Sequence, residues 1–257
     1  LKAKYVITII VLCYLSISTM TMTITYANEQ KHSKIITVHE YRKDVTGDGK
    51  EETIKLKGIP FEAGSHFLKA VYATVATSTG KTFKLMYEPG YDPKLTFLDV
   101  NHDGVKDIFE SSATGGSGGM MNYRINSIKG EEQSEIPLPP PLKLQGKFDQ
   151  AFTASLKIMD TNQTFLINLR SRQKDYVRLG LYQKNGILNE PTELMIDPVA
   201  VYKPVKISGK KGYGLLGLQQ VSGAYHADRI GTILSTWYYE HGRWQLIKTK
   251  WQVGNRS

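Results

Sequence analysis

Two short stretches hold the side chains best suited to metal chemistry. "DVNHDGVKDIFE", residues 99–110, places side-chain oxygens at Asp99, Asn101 and Asp103, with Gly104 immediately after. Through Glu110 it satisfies the EF-hand pattern D-x-[DN]-x-[DN]-G-x5-E. "DVTGDGKEETIKL" begins at Asp44, 55 residues earlier, with Asp44, Thr46 and Asp48 at the same offsets and Gly49 next. Calcium is a hard cation that takes about six to eight oxygens. A short loop supplies several of them only by curling around the ion, and the glycine permits the sharp turn. The expected ligands in the second loop are Asp99, Asn101, Asp103, the Val105 carbonyl and Asp107. In the first they are Asp44, Thr46, Asp48, the Lys50 carbonyl and Glu52. Calcium is the expected cofactor. Acidic turns without metal are the alternative, and more so in the first loop, where Thr46 is a neutral ligand.

The elements around these loops decide between a helical and a β setting. An EF-hand needs helices on both sides, and neither "LTFL" nor "DIFESSATGGSGG" has a helical period. Lys55 stands at position 12 of the first loop, where an EF-hand needs a bidentate acid. In a strand leaving the second loop, side chains alternate between faces. Asp107 then points away from Glu110, and position nine supplies the expected last ligand.

The rest of the chain also alternates. "KLTFLDV", "TILSTWYYE" and "RWQLIKTKWQV" read as strands with period two, bounded by Gly, Asn and Asp. "FDQAFTASLKIM" alternates as well and is read as strand. Glycine turns recur at Gly80, Gly130, Gly186 and Gly242, and Asn185-Gly186 is the strongest hairpin signal. Loop segments start near Asp44, Asp99, Lys157 and Ile207, about every 55 residues or a multiple of that. The expected fold is all-β, a propeller-like array of about four such units. The alternative is two β-sandwich-like halves, divided at the proline run in residues 136–142.

The segments "DVTGDGKEET" and "DVNHDGVKDI" resemble the D-x-[ND]-x-D-G-x-x-D loops of FG-GAP and VCBS-type repeats, found in integrin-α-like propellers and in exported bacterial proteins. That resemblance implies one calcium ion per loop, a loop joining two strands of a blade, and a role in adhesion or as a binding module.

Residues 1–27 read as a signal peptide: Lys2 and Lys4, an uncharged apolar stretch, then Thr25-Tyr26-Ala27 before Asn28. An uncleaved anchor is the alternative, since about 20 residues can cross a bilayer. With cleavage, no stable membrane span is expected, and residues 28–257 form the exported β domain. The single cysteine, Cys13, lies in this segment, so cysteine catalysis and cysteine zinc sites are excluded from the domain. Removing Lys2 and Lys4 takes the formal charge from +9 to +7, with the basic residues scattered. Such a surface suits an anionic envelope polymer or another surface protein. Nucleic acid is not an expected partner for an exported chain without such a motif.

Two further segments stand out. "SSATGGSGGMMNY" (111–123) and "VSGAYHADRIGT" (221–232) occupy comparable places in their units, which puts Tyr225, His226, Asp228 and Arg229 on one rim with the glycine-rich loop. No catalytic nucleophile motif is present. Trp237, Trp244 and Trp251 recur every seven residues and read as core aromatics. The leading expectation is an exported, calcium-stabilised binding or structural module at the cell envelope. The alternative is an extracellular hydrolase on the same scaffold.

Overall fold

Alternating burial along the chain builds every large element. The computed structural model describes residues 34–254; the expected signal segment and Cys13 lie outside the described residues. In β2 (Glu52–Pro60), Glu52, Ile54, Leu56 and Gly58 are buried while the residues between them are only partly so. In β10 (Thr153–Ile158), Ala154, Leu156 and Ile158 form the buried row. Period-two patterning of this kind gives each strand one apolar face.

Among the described residues, fifteen strands pair antiparallel into three sheets. The first contains β1 (Ile36–Lys43), β2, β3 (Phe67–Ala76), β5 (Gly90–Leu98), β6 (Asp107–Ala113), β7 (Met121–Ser127) and β8 (Ser134–Ile136) in that order, with β4 (Thr82–Tyr87) paired to β3. The second is β11 (Thr164–Asn168), β10 and β9 (Leu144–Asp149). The third is β12 (Met195–Val205), β13 (Gly214–Ser222), β14 (Arg229–Glu240) and β15 (Arg243–Val253). Residues 137–143 join the first sheet to the second without pairing as strand. No helix among the described residues is long and apolar enough to cross a membrane.

The all-β expectation holds, but these sheets are not four equal blades. The first two expected units fuse edge to edge, because β3 pairs with β5 at Phe67–Tyr91 and Leu68–Gly90. The result is one eight-stranded sheet, whereas the later strands divide into three and four. Turn spacing alone does not show which strand edges will meet. The alternative of halves divided near the proline run fits this sheet division.

Two local expectations also change. "FDQAFTASLKIM" is a hairpin rather than one strand, turning through Ala151 and Phe152, both at positive φ. A 3-10 turn at Arg170–Arg172 leads into α1 (Gln173–Arg178), six residues long. Such a helix is too short to show a hydrophobic period. Asn185-Gly186 does form a tight turn, with the Gln183 amide bonded to the Ile187 carbonyl at 2.8 Å.

The buried side chains gather in four clusters. Ile54, Leu56, Val71 and Ile108 fill one face of the first sheet. Leu98, Phe109 and Ile125 pack with Tyr202 and Leu215, joining the first sheet to the third. Phe148, Leu156 and Leu169 pack with Tyr176, Tyr182, Val221 and Ile230, joining the second sheet and α1 to the third. Leu142, Ile158, Ile233 and Trp237 complete that junction. Trp237 is buried, and Trp244 and Trp251 pack against these clusters, as core aromatics do.

Leu156 is fully buried and Leu166, on the neighbouring strand, is 83% exposed. In urea denaturation, Leu156→Ala should lose about 2–5 kcal/mol of stability and Leu166→Ala no more than about 0.5. Equal losses would refute the assignment of β10 to the core.

Candidate functional site

The two acidic loops are the connections of two hairpins, β1–β2 and β5–β6, in the same sheet. Most of their internal hydrogen bonds match across the 55-residue offset; the amide taken by Oδ1 of the first acid shifts by one residue. Asp44 accepts the Gly47 amide on Oδ1 at 2.7 Å and the Gly49 amide on Oδ2 at 3.0 Å. Asp99 accepts the Asp103 amide on Oδ1 at 3.1 Å and the Gly104 amide on Oδ2 at 3.2 Å. At position five, Asp48 accepts the Lys50 amide and Asp103 the Val105 amide. Each loop is thus wound around the acids at its positions one and five by short-range turns.

The position-nine acids lie deeper. Glu52 and Asp107 open β2 and β6, and both are fully buried. Glu52 Oε2 accepts the Val45 and Thr46 amides at 2.8 and 3.1 Å. Asp107 Oδ2 accepts the Val100 and Asn101 amides at 2.8 and 3.4 Å. The second oxygen of each, Glu52 Oε1 and Asp107 Oδ1, is buried with no hydrogen-bond partner, and so is Thr46 Oγ1. Burial pushes the Asp107 carboxyl up to about 6, against the pull of the Val100 amide, the nearby Ser127 hydroxyl and the Asn101 amide.

These orphaned oxygens test the fit of a metal. A buried polar atom without a partner costs about 1–3 kcal/mol, and a hard cation would remove that cost. Among the described residues, no three His, Cys, Asp or Glu side chains gather closely enough to hold a metal by themselves. A calcium ion would therefore need the mixed set: carboxylates, the Thr46 hydroxyl or Asn101 amide, and the Lys50 or Val105 carbonyl.

The loops also touch each other and their surroundings. A Cβ on Gly47 would lie 2.7 Å from Val105 Cγ2, so loop one packs directly on loop two. The segment after β7 bridges them: the Gly130 amide bonds to the Thr46 carbonyl at 2.8 Å, and Lys129 Nζ to the Asp103 carbonyl at 3.0 Å. His102 is not pointed to solvent, as position four of such a loop would suggest. It stacks on Tyr238 with ring centroids 4.0 Å apart, because loop two abuts the third sheet at Gly212 and Tyr213. Burial draws the His102 imidazole below its ordinary value.

Glu110 stands apart from the loop, three residues further along β6 than Asp107. It is buried in β6, opposite Leu95 and Arg124. Its Oε1 and the nearby Tyr87 hydroxyl have no hydrogen-bond partner. Burial pushes its carboxyl up to about 8, with Ser112 and Arg124 opposing and Glu88 adding to the rise.

A second feature lies elsewhere. A cavity of about 1060 Å³ is lined by Ser117, Gly118 and Met120 of the glycine-rich loop and by Tyr225, His226, Ala227, Asp228 and Arg229. The structure thus brings the two singled-out loop segments together. Its floor is a buried network. Arg172 Nε donates to Asp228 Oδ1 at 2.7 Å, Tyr176 donates to Asp228 Oδ2 at 2.5 Å, and Arg172 Nη2 donates to the Arg229 carbonyl at 2.7 Å. At the rim, His226 Nδ1 lies 3.5 Å from Asp197 Oδ1. No hydrogen bond joins Ser117 to His226 among the described residues. Arg172, Tyr176 and Lys129 had no signal in the sequence, since their partners lie 56, 52 and 26 residues away.

Fold and loops together define an all-β protein with three sheets among the described residues, two adjoining acidic hairpin loops and a large cavity of mixed polar and apolar lining. Residues 142–252 match the family model described as the YybI C-terminal domain. The chain is also 27% identical over 217 residues to "Uncharacterized protein YybI" of Bacillus subtilis (strain 168), covering 81% of each chain. No solved structure matches it. These findings correct the resemblance to FG-GAP and VCBS-type repeats: the family model found is a different one, and it lies outside both acidic loops. The reason is physical. About ten residues of alternating acid and glycine are a local solution to winding a loop, available to unrelated scaffolds.

Glu110 yields a pH prediction. Its folded-state carboxyl titrates near 8 and its unfolded one near 4.5. Below 4.5 both states hold the proton. As pH rises from 4.5 to 8 only the unfolded state releases it, so stability falls over that window. Glu110→Gln should therefore be the more stable chain at pH 8, by an amount that shrinks toward pH 4.5, in denaturant titrations of both chains. Parallel curves across the window would contradict the buried carboxyl.

Proposed function

We propose that this protein is an exported, calcium-stabilised module of a bacterial-type cell envelope, built as two β-sandwich-like halves, that acts by binding rather than by catalysis. The observation that carries the calcium part is the pair of orphaned oxygens, Glu52 Oε1 and Asp107 Oδ1, buried at position nine of both loops. A buried carboxylate normally fills both oxygens. Two that fail to do so at the same loop position favour a ligand over chance. Asp99, Asn101, Asp103, Asp107 and the Val105 carbonyl would hold one ion. Asp44, Thr46, Asp48, Glu52 and the Lys50 carbonyl would hold the other.

The ion would act as a clip. It would neutralise acids that otherwise repel one another and fix the hairpin connections on which β2 and β6 start. Export follows from the reading of residues 1–27. The binding part is supported by the cavity between the glycine-rich loop and residues 225–229. Its size suits an organic ligand of several groups, and its walls mix charged, aromatic and backbone groups.

The test is thermal melting of the purified domain after chelation, then with calcium added back to millimolar levels. Extracellular modules bind calcium at about 10⁻⁴–10⁻³ M, and binding to the folded state alone raises the melting point. Asp103→Ala should remove much of the rise. A melting curve that calcium leaves unmoved would count against the reading, as would an equal rise with magnesium.

A further inference from the structure

A second recess is lined by other residues of the Arg170–Arg178 segment than those that line the cavity. It measures about 660 Å³ and is lined by Arg170, Ser171, Gln173, Lys174, Val177 and Lys184. Three of these six side chains are cationic and none is acidic. Arg170, Lys174 and Lys184 are all exposed. Among the described residues none of the three has a carboxylate within 4.0 Å, although nine such ion pairs form elsewhere on the chain.

That gathering is unfavourable in the free chain. Arg170 and Lys174 are four residues apart on one helical segment, a spacing at which like charges repel. Lys184 is brought to them by the tight turn at Asn185-Gly186, whose Gln183–Ile187 bond holds the connection after α1. The turn and the helical segment are fixed in turn by buried Tyr176 and Tyr182, which pack on Phe148. The cations are therefore held together by the core beneath them, and an anion entering the recess would relieve their repulsion. Ser171 and Gln173 add neutral hydrogen-bond donors for its remaining oxygens.

We propose that this recess binds the phosphate groups of a polyanionic chain. Phosphate fits because each group offers several acceptor oxygens to clustered Arg and Lys donors. The proposal commits to a polymer rather than a lipid surface because the three cations line one recess of about 660 Å³, into which a single chain can enter. The inference rests on the binding-module reading and names its partner class, but it does not depend on the calcium loops.

The experiment measures binding of end-labelled long-chain inorganic polyphosphate to the whole chain by fluorescence anisotropy, in chelator, at low and raised ionic strength. Working in chelator separates failure here from failure of the calcium reading. The unsubstituted chain should bind, and more weakly as salt rises. Lys174→Glu with Lys184→Glu should weaken binding by about tenfold or more. Lys248→Glu with Lys250→Glu makes the same charge change on exposed positions of β15 and should weaken it by less than about threefold. Melting of both variants near the parent value shows that each is folded. Absence of binding by the parent chain, equal loss in the two variants, or no loss in the first would each overturn the proposal. So would tighter binding to phosphatidylglycerol vesicles than to the polymer, since the source would then be a lipid headgroup.

Discussion

Two buried carboxylates hold the corner on which the first sheet is built. Glu52 and Asp107 each stand at the first residue of a strand and each accepts two backbone amides from the loop before it. Those bonds fix where each loop ends and therefore the register in which β2 and β6 leave it. Because side chains alternate faces, a slip of one residue would turn Ile54, Leu56 and Ile108 out of the core. The acids at positions one and five lie nearer the surface and wind the loop on local amides, while Asp48 also accepts the Ser78 hydroxyl and Asp103 pairs with Lys129.

The same corner couples the sheets. Loop one lies against loop two through Gly47 and Val105, and Lys129 and Gly130 tie the end of β7 to both. Loop two then meets the third sheet through the His102–Tyr238 stack and the Tyr213 amide bonded to the Asp99 carbonyl. Anything that stiffens the acidic loops is therefore felt where the first and third sheets pack. On the far side, Asp228 has the equivalent place. It accepts from Arg172, Tyr176 and the Ala224 amide, and so joins α1 to the loop that walls the large cavity.

The residues that alternate were legible in the sequence, and with them the all-β class, strands β5, β14 and β15, and the tight turns at Gly186 and Gly242. The acidic stretches were legible as turns between strands, and the structure makes each the connection of a hairpin, with Asp107 at the first residue of β6. What failed was the step from spacing to architecture. Loop recurrence every 55 residues suggested equal blades, yet β3 and β5 share an edge and merge two units into one sheet, a choice made by contacts between strands far apart in sequence. The repeat-family resemblance failed for a related reason, since it rested on ten-residue loops and on nothing in the sheets. The 3-10 turn and α1 were too short to leave a period. The Arg172–Asp228 pair and the gathering of Arg170, Lys174 and Lys184 are products of the folded chain.

Calcium coordination by the unfilled oxygens of Glu52 and Asp107 is the central claim. Isothermal titration calorimetry of calcium into the chelated domain reads it directly. The expected result is a saturable heat with two ions per chain, falling to one ion when Asp107→Asn is combined with Asp103→Ala in the second loop. No heat beyond dilution, or a heat unchanged by those substitutions, would contradict it.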